Sequence, residues 1–177
     1  MKNLIVLFTL ILFGNKVATA QKTLETKTAQ VRFVAIDDND IDAINKEAVS
    51  RIEANGKLSF IMLMKGFHFE MAKMEEHFNT EYIESDKFPR AFFNGQITNF
   101  NTVDLKKDGQ YPITVTGNMQ VHGVNKSVQT NGILEVKSGV VKANAKFTVR
   151  LKDFGIGGIM IKMVADKINV EVNATYQ

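Results

Sequence analysis

Three histidines and a group of carboxylates are where chemistry would be sought first. His68 and Glu70 have the alternate spacing that puts two side chains on one face of a strand, and with His77 they would offer the imidazole and carboxylate donors that zinc accepts. The spacing is too loose to define a coordination set, and boundary histidines satisfied by hydrogen bonds explain it better. Glu70, Glu75 and Glu76 could form a paired-carboxylate site, yet they read more simply as the solvated side of a short helix. His122 stands at a turn beside Gly123, with no role expected beyond capping backbone groups. Gly155-Ile156-Gly157-Gly158 follows a strand without opening a long helix, so it reads as a loop rather than a dinucleotide site. The 177 residues hold no cysteine, no Gly-x-Ser-x-Gly elbow, no phosphate loop and no His-Glu-x-x-His pair. The expectation is a non-enzymatic protein with no cofactor and no metal.

The elements around these residues are mostly strands. Leu58 to Met64 is an unbroken apolar run, with Leu58, Phe60, Met62 and Met64 on one face and Ile61 and Leu63 on the other. Both faces are therefore expected to be covered. Glu70 to Phe78 reads at helical spacing, Met71, Met74 and Phe78 falling at i, i+3 and i+7. A two-turn helix does not hold itself together in water, so this apolar stripe must lie on strands, as a plug or lid. The spacing predicts that it covers the second face of the preceding strand.

Elsewhere the alternation has period two. A first short strand is read over Gln30 to Ala35, after a polar, frayed Gln21 to Lys27. A helical turn is expected at Ile41 and Ile44, then a second strand near Ala48 to Glu53 presenting Val49. Asn55-Gly56 signals a tight primed hairpin turn. Ala91, Phe93 and Ile97, then Tyr111, Ile113, Val115, Met119 and Val121, make two further apolar faces. Val128, Leu134 and Val136 mark a sixth strand. Val141, Ala143, Ala145, Phe147, Val149 and Leu151 alternate without fault against polar partners in a seventh, and Val164 to Tyr176 supplies the last. Eight strands, frequent turns and one short helix predict an all-β fold, an eight-stranded antiparallel lipocalin-like barrel with a plug helix, with a two-sheet sandwich second. Periodicity does not separate an open lumen from one filled by side chains. Thirteen Phe and eight Met favour an adaptable apolar lining.

Met1 to Ala20 carries Lys2, an apolar run from Leu4 to Phe13 and Ala18-Thr19-Ala20, which reads as a secretory signal peptide. The run is far short of the roughly 20 residues of a membrane span. A single domain over 21–177 is expected, periplasmic or secreted, without stable membrane insertion. Removing the signal leaves 20 cations against 19 acids, so nucleic acid is not an expected partner.

Three blocks in order carry a resemblance. The first runs from Phe67-His68-Phe69 through the Met-rich helix to Glu76-His77-Phe78-Asn79, then Tyr82 to Pro89 and Asn94-Gly95. The second is Val115 to Lys126, VTGNMQVHGVNK, and the third Phe147-Thr148-Val149 through Asp153-Phe154-Gly155-Ile156. Together they resemble the YceI-like family over nearly the whole chain after the signal, apart from the missing His-Ser strand near the N-terminus and Asn125 where Thr is frequent. The resemblance implies a lipocalin-like barrel holding a long apolar lipid, a polyisoprenoid or isoprenoid quinone, with a homodimer as the suggested assembly. By that analogy Phe60, Met62, Met64, Met71, Met74, Phe78, Phe93, Val115, Phe147 and Val149 line the pocket. Lys65, Lys73, His77 and Arg90 are the candidates for a head group. The alternative is a secreted structural or stress-related interaction module with a filled barrel and an exposed apolar patch.

Overall fold

The computed structural model describes residues 23–36, 41–157 and 166–176; the expected signal peptide over 1–20 and the apolar stretch Ile159 to Met163 lie outside them. The strands are β1 (Leu24–Ala35), β2 (Asp42–Ile52), β3 (Lys57–Leu63), β4 (His68–Phe69), β5 (Arg90–Ile97), β6 (Gly109–Val121), β7 (Val124–Lys137), β8 (Val140–Arg150) and β9 (Lys167–Tyr176). Eight of them form one antiparallel cylinder in the order β1-β9-β8-β7-β6-β5-β3-β2, closed by β1 pairing with β2. The two-residue β4 adds to the free end of β2 through Ala43–Phe69 and Ile44–His68. The barrel expected from the alternation is what the chain forms, and the sandwich is not.

Period two decides which side chains enter the lumen. In β8, Val141, Ala143, Ala145, Phe147 and Val149 turn inward while Lys142, Asn144, Lys146, Thr148 and Arg150 are exposed. His122-Gly123 and Ser138-Gly139 make two-residue turns with both φ values positive, the geometry that matches strand twist. At Asn55-Gly56 only Gly56 has positive φ, and Gly56 N–H bonds to Glu53 C=O at 2.8 Å. That hairpin therefore has a longer loop than the primed turn expected.

Three expectations are corrected where bulges shift the phase. β1 begins at Leu24, six residues before the expected start, because Leu24, Thr26 and Ala29 face inward across two irregularities in its pairing with β2. No helical turn forms at Ile41 and Ile44: β2 starts at Asp42, and two consecutive exposed residues, Lys46 and Glu47, change which residues point inward. Asn45, fully buried at that bulge, donates from Nδ2 to the Leu63 carbonyl (2.8 Å) and accepts at Oδ1 from Glu47 N–H (2.9 Å). Val49 consequently faces outward. The helix does not cover the outer face of β3 either, where Ile61 and Leu63 remain 42% and 51% exposed. Val49, Ile61 and Phe92 instead form a row across the outside of β2, β3 and β5.

The lumen is divided along its length. At the end where β2, β5, β7 and β9 finish, Ile52, Ile97, Leu134 and Tyr176 are almost wholly buried and fill it. There the Tyr176 hydroxyl and Ser50 Oγ share a 2.7 Å hydrogen bond, joining β9 to β2 inside the closed sheet. Burial pushes the Tyr176 hydroxyl up to about 12, the Ser50 hydrogen bond opposing the shift. Among the described residues no helix is long and apolar enough to cross a membrane.

Tyr176→Phe is expected to lower the unfolding free energy by about 1 to 2 kcal/mol in chemical denaturation, the cost of one buried hydrogen bond. Because the folded hydroxyl titrates near 12 against 10 in the unfolded chain, stability is fully present below pH 10 and falls as pH rises towards 12. A denaturation series over that range should show the loss in the native chain and a smaller one in the variant.

Candidate functional site

The upper half of the lumen is empty. A cavity of about 460 Å³ lies there, walled almost entirely by carbon. Its width comes from a row of small side chains in register across four strands, Val31, Val172, Ala145 and Gly132 on β1, β9, β8 and β7. On the opposite wall Gly95 and Gly117 pair across β5 and β6, and the tip of the Phe93 ring lies over both. A Cβ on Gly95 or Gly117 would fall 2.5 or 2.7 Å from that ring, and 2.3 or 2.5 Å from a backbone oxygen of the neighbouring strand. The two glycines thus let Phe93 fold against the wall instead of filling the space.

Four phenylalanines roof the cavity. Phe33, from β1, meets Phe67, Phe69 and Phe78 at ring-centroid distances of 5.0, 5.7 and 5.7 Å. Phe78 also meets Phe67 and Phe69 at 5.7 and 5.1 Å. Phe78 is carried by the plug, α1 (Ala72–His77) followed by a π-helical turn over Phe78–Tyr82. Chain connectivity seats it there: after β3, Met64–Gly66 makes a tight turn and β4 clips the chain to the end of β2. The Phe69 N–H then donates to Glu75 Oε2 at 3.1 Å, tying β4 to the helix.

The plug's far side is held by His122. Its Nε2 lies 3.0 Å from Glu84 Oε2, its Nδ1 3.3 Å from the Phe154 carbonyl oxygen, and its ring packs edge-on against Phe88 at 4.4 Å. The side chain expected only to cap a turn therefore joins three segments: the β6–β7 turn, the chain after the plug, and the turn Leu151–Phe154 that ends β8. The hydrogen bond from His122 is the largest influence holding the Glu84 carboxyl below its ordinary value, with Lys87 adding to it.

Of the residues expected to line the pocket, Phe60, Met62, Met64, Met74 and Phe78 border this cavity, as do Phe93, Val115, Phe147 and Val149. Met71 does not. It precedes α1 with extended backbone (φ −97, ψ 118) and is 51% exposed, so the helical stripe that was to include it begins one turn later. The four cations expected at the mouth do not border the cavity either. Lys65 points outward to Asp86 at 2.5 Å, His77 bonds Glu81 at 2.7 Å, and Lys73 and Arg90 are exposed. His68 lies 3.5 Å from Glu75, so His68 and His77 have separate acidic partners. Among the described residues no three His, Cys, Asp or Glu side chains converge to hold a metal ion.

Sequence reasoning missed the roof residues Phe33, Phe67 and Phe69, and one stretch of wall, residues 126–130 of β7. A signal for the second was present. Lys126 and Thr130 occupy the inward phase of β7, in register with Met119 and Val115, where the other strands carry apolar side chains.

The sequence matches the YceI-like domain model over residues 15–176. No curated protein matches it. Among solved structures, a polyisoprenoid binding domain from Saccharophagus degradans implicated in plant cell wall breakdown superposes with a TM-score of 0.76 at 10% identity, covering 88% of this chain and 97% of that one. BcnA of Burkholderia cenocepacia gives 0.69 at 12% identity, covering 84% and 96%. The YCEI protein of Campylobacter jejuni gives 0.59 at 15%, covering 76% and 84%. At such identities the likeness establishes the barrel fold.

The His122 contact sets a pH dependence. Glu84 titrates below 4.5 when folded, so the stability it contributes is present above that pH and is lost as pH falls through the lower folded value. Thermal melts of Glu84→Gln should lie below those of the native chain at pH 6, and the gap should close as pH falls through the lowered folded value.

Proposed function

The chain belongs to the YceI-like domain family, and from that premise we propose that it is an exported, non-enzymatic binding protein that holds the tail of an amphiphilic lipid, a polyisoprenoid or isoprenoid quinone, in the upper lumen. The observation that carries this reading is the roofed apolar cavity of about 460 Å³, within the range of roughly 300 to 1,000 Å³ usual for small-molecule sites. The solved Saccharophagus degradans relative, described as a polyisoprenoid binding domain, supports the class of ligand. Export rests on the sequence of residues 1–20, with Lys2, the apolar run and Ala18-Thr19-Ala20.

Volume limits what is enclosed. Taking a carbon as about the size of a water molecule's roughly 30 Å³ share of liquid, the cavity takes about fifteen carbons, or about three isoprene units. Fifteen buried methylenes contribute about 12 kcal/mol gross at roughly 0.8 kcal/mol each. Association costs about 4 to 15 kcal/mol, so tail burial alone lies near the threshold of useful affinity and a head-group contact tips the balance. Of the two features expected for the alternative, a filled barrel and an exposed apolar patch, only the second is present, as Val49, Ile61 and Leu63 on the outer face, and the unfilled upper half supports the carrier reading over it.

Two measurements test the reading. Organic extraction of gently purified protein, followed by mass spectrometry, is expected to release a single-tailed amphiphile. An apo protein that also fails to bind dodecanoate or dodecanol would refute it. Val172→Phe places a ring between Val31 and Ala145, its neighbours in register, where there is room for it. That variant should fold with stability within about 1 to 3 kcal/mol of the native chain and lose at least about tenfold in affinity for either probe.

A further inference from the structure

A closed barrel shows its lumen only inward-facing residues, and on most strands that holds here. β1, β3, β6 and β9 contribute alternate residues to the cavity wall, and β5 adds one outward residue, Phe92, between Ala91 and Phe93. β7 and β8 differ in contributing longer runs. Lys126, Ser127, Val128, Gln129 and Thr130 all border the cavity consecutively, as do Phe147, Thr148, Val149 and Arg150. Facing runs of this kind on two adjacent strands mark a place where their pairing is missing.

The pairing explains the opening. β7 and β8 are in register from Lys137–Val140 only as far as Gly132–Ala145. Beyond that point residues 124–131 keep their ladder to β6, and residues 146–150 keep theirs to β9, but the two edges have no register with each other. The last pairs are tight, since a Cβ on Gly132 would lie 2.7 Å from the Asn144 carbonyl oxygen, and above them the strands part. Five residues of β8 at about 3.4 Å each make a seam about 17 Å long. Its upper end is bridged where Phe154 meets His122. Phe67, Ile83, Phe154 and Ile156 are all buried at the top of the barrel, and among the described residues the seam is where two neighbouring strands of the wall lack a register.

Three charged side chains border the cavity, all near the seam. Arg150 is 3.7 Å from Asp166, and Asp153 supplies one carboxylate at the rim. Lys126 is exposed, sits on the inward phase of β7 opposite Met119, and has no ion pair among the described residues. Ser127 and Thr148 border the slit as well, but their hydroxyls donate to Asn118 Oδ1 and Asn169 Oδ1 at 3.0 Å each, so the neutral donor along the slit is the Gln129 amide. An anionic group here meets a cation and that amide, while its tail passes between the strand edges into the apolar space.

We propose that the β7–β8 seam is the head-group site and lateral entrance of the binding cavity, with Lys126 pairing the acidic head of a single-tailed amphiphile. The inference rests on the carrier reading and adds to it the class of head group and the residue that recognises it. It replaces Lys65, Lys73, His77 and Arg90, none of which borders the cavity. A tail longer than the lumen can take would leave through the same slit.

Dodecanoate and dodecanol share a tail that the cavity can enclose and differ in the charge of the head. Titrated at low salt, Lys126→Gln should bind dodecanoate about fivefold more weakly than the native chain, as expected for one partly solvated ion pair, and dodecanol within about twofold. Raising salt should shrink the dodecanoate difference. Lys142→Gln, an exposed outward position on β8 below the seam, should change neither. Unchanged dodecanoate binding in Lys126→Gln, or an equal loss for both probes, overturns the inference while leaving the carrier intact. If the native chain binds neither probe, the carrier reading falls and the inference with it.

Discussion

The molecule depends on a cluster of four aromatic rings. Phe33 belongs to the barrel wall, Phe67 to the connection, Phe69 to β4 at the margin of the same sheet and Phe78 to the plug, so the five ring contacts tie the plug and the connection to the sheet. Aromatic pairs of this kind contribute about 0.5 to 1.5 kcal/mol each beyond the burial of their area. A six-residue helix has no stability of its own in water, and this one lacks a side-chain cap at its N-terminus. Its order is therefore borrowed from the rings and from the attachments of β4 and His122 on either side. The roof and the helix are one unit.

Beneath that roof the empty volume is a matter of side-chain size. An eight-stranded barrel is only just wide enough for its interior to be filled. At the lower end Ile52, Ile97, Leu134 and Tyr176 fill it; higher up, Val31, Val172, Ala145 and Gly132 do not reach across. Phe93, large enough to block the space, is held against the wall by the absence of two methyl groups at Gly95 and Gly117. The void is thus specified by what the chain leaves out.

Much of this was legible in the residues. The alternation in β8 fixed its inward face without ambiguity, and nine of the ten expected lining residues border the cavity, because inward direction follows from period two wherever no bulge intervenes. Reading failed where the period slipped. The bulges at Thr26 to Val31 and at Lys46-Glu47 hid the start of β1 and reversed the direction of Val49. It failed again for Met71, where helical spacing was read one turn too early, and for the cations, since which loop faces the lumen is decided by tertiary pairing. Lys126 was passed over because a cation on an inward phase makes sense only once the neighbouring strand is known to peel away.

The sheet closes through β1 and β9, the first and last strands described, and the final turn of that closure holds Tyr176 against Ser50. Contacts between opposite ends of a chain are the slowest to form, and these cannot begin to form until the last strand has been synthesised. Until then β1 and β8 each present an unzipped margin to the surrounding cell. Such late commitment keeps the sheet open-sided through most of folding, and the cylinder locks only once its last thread is in place.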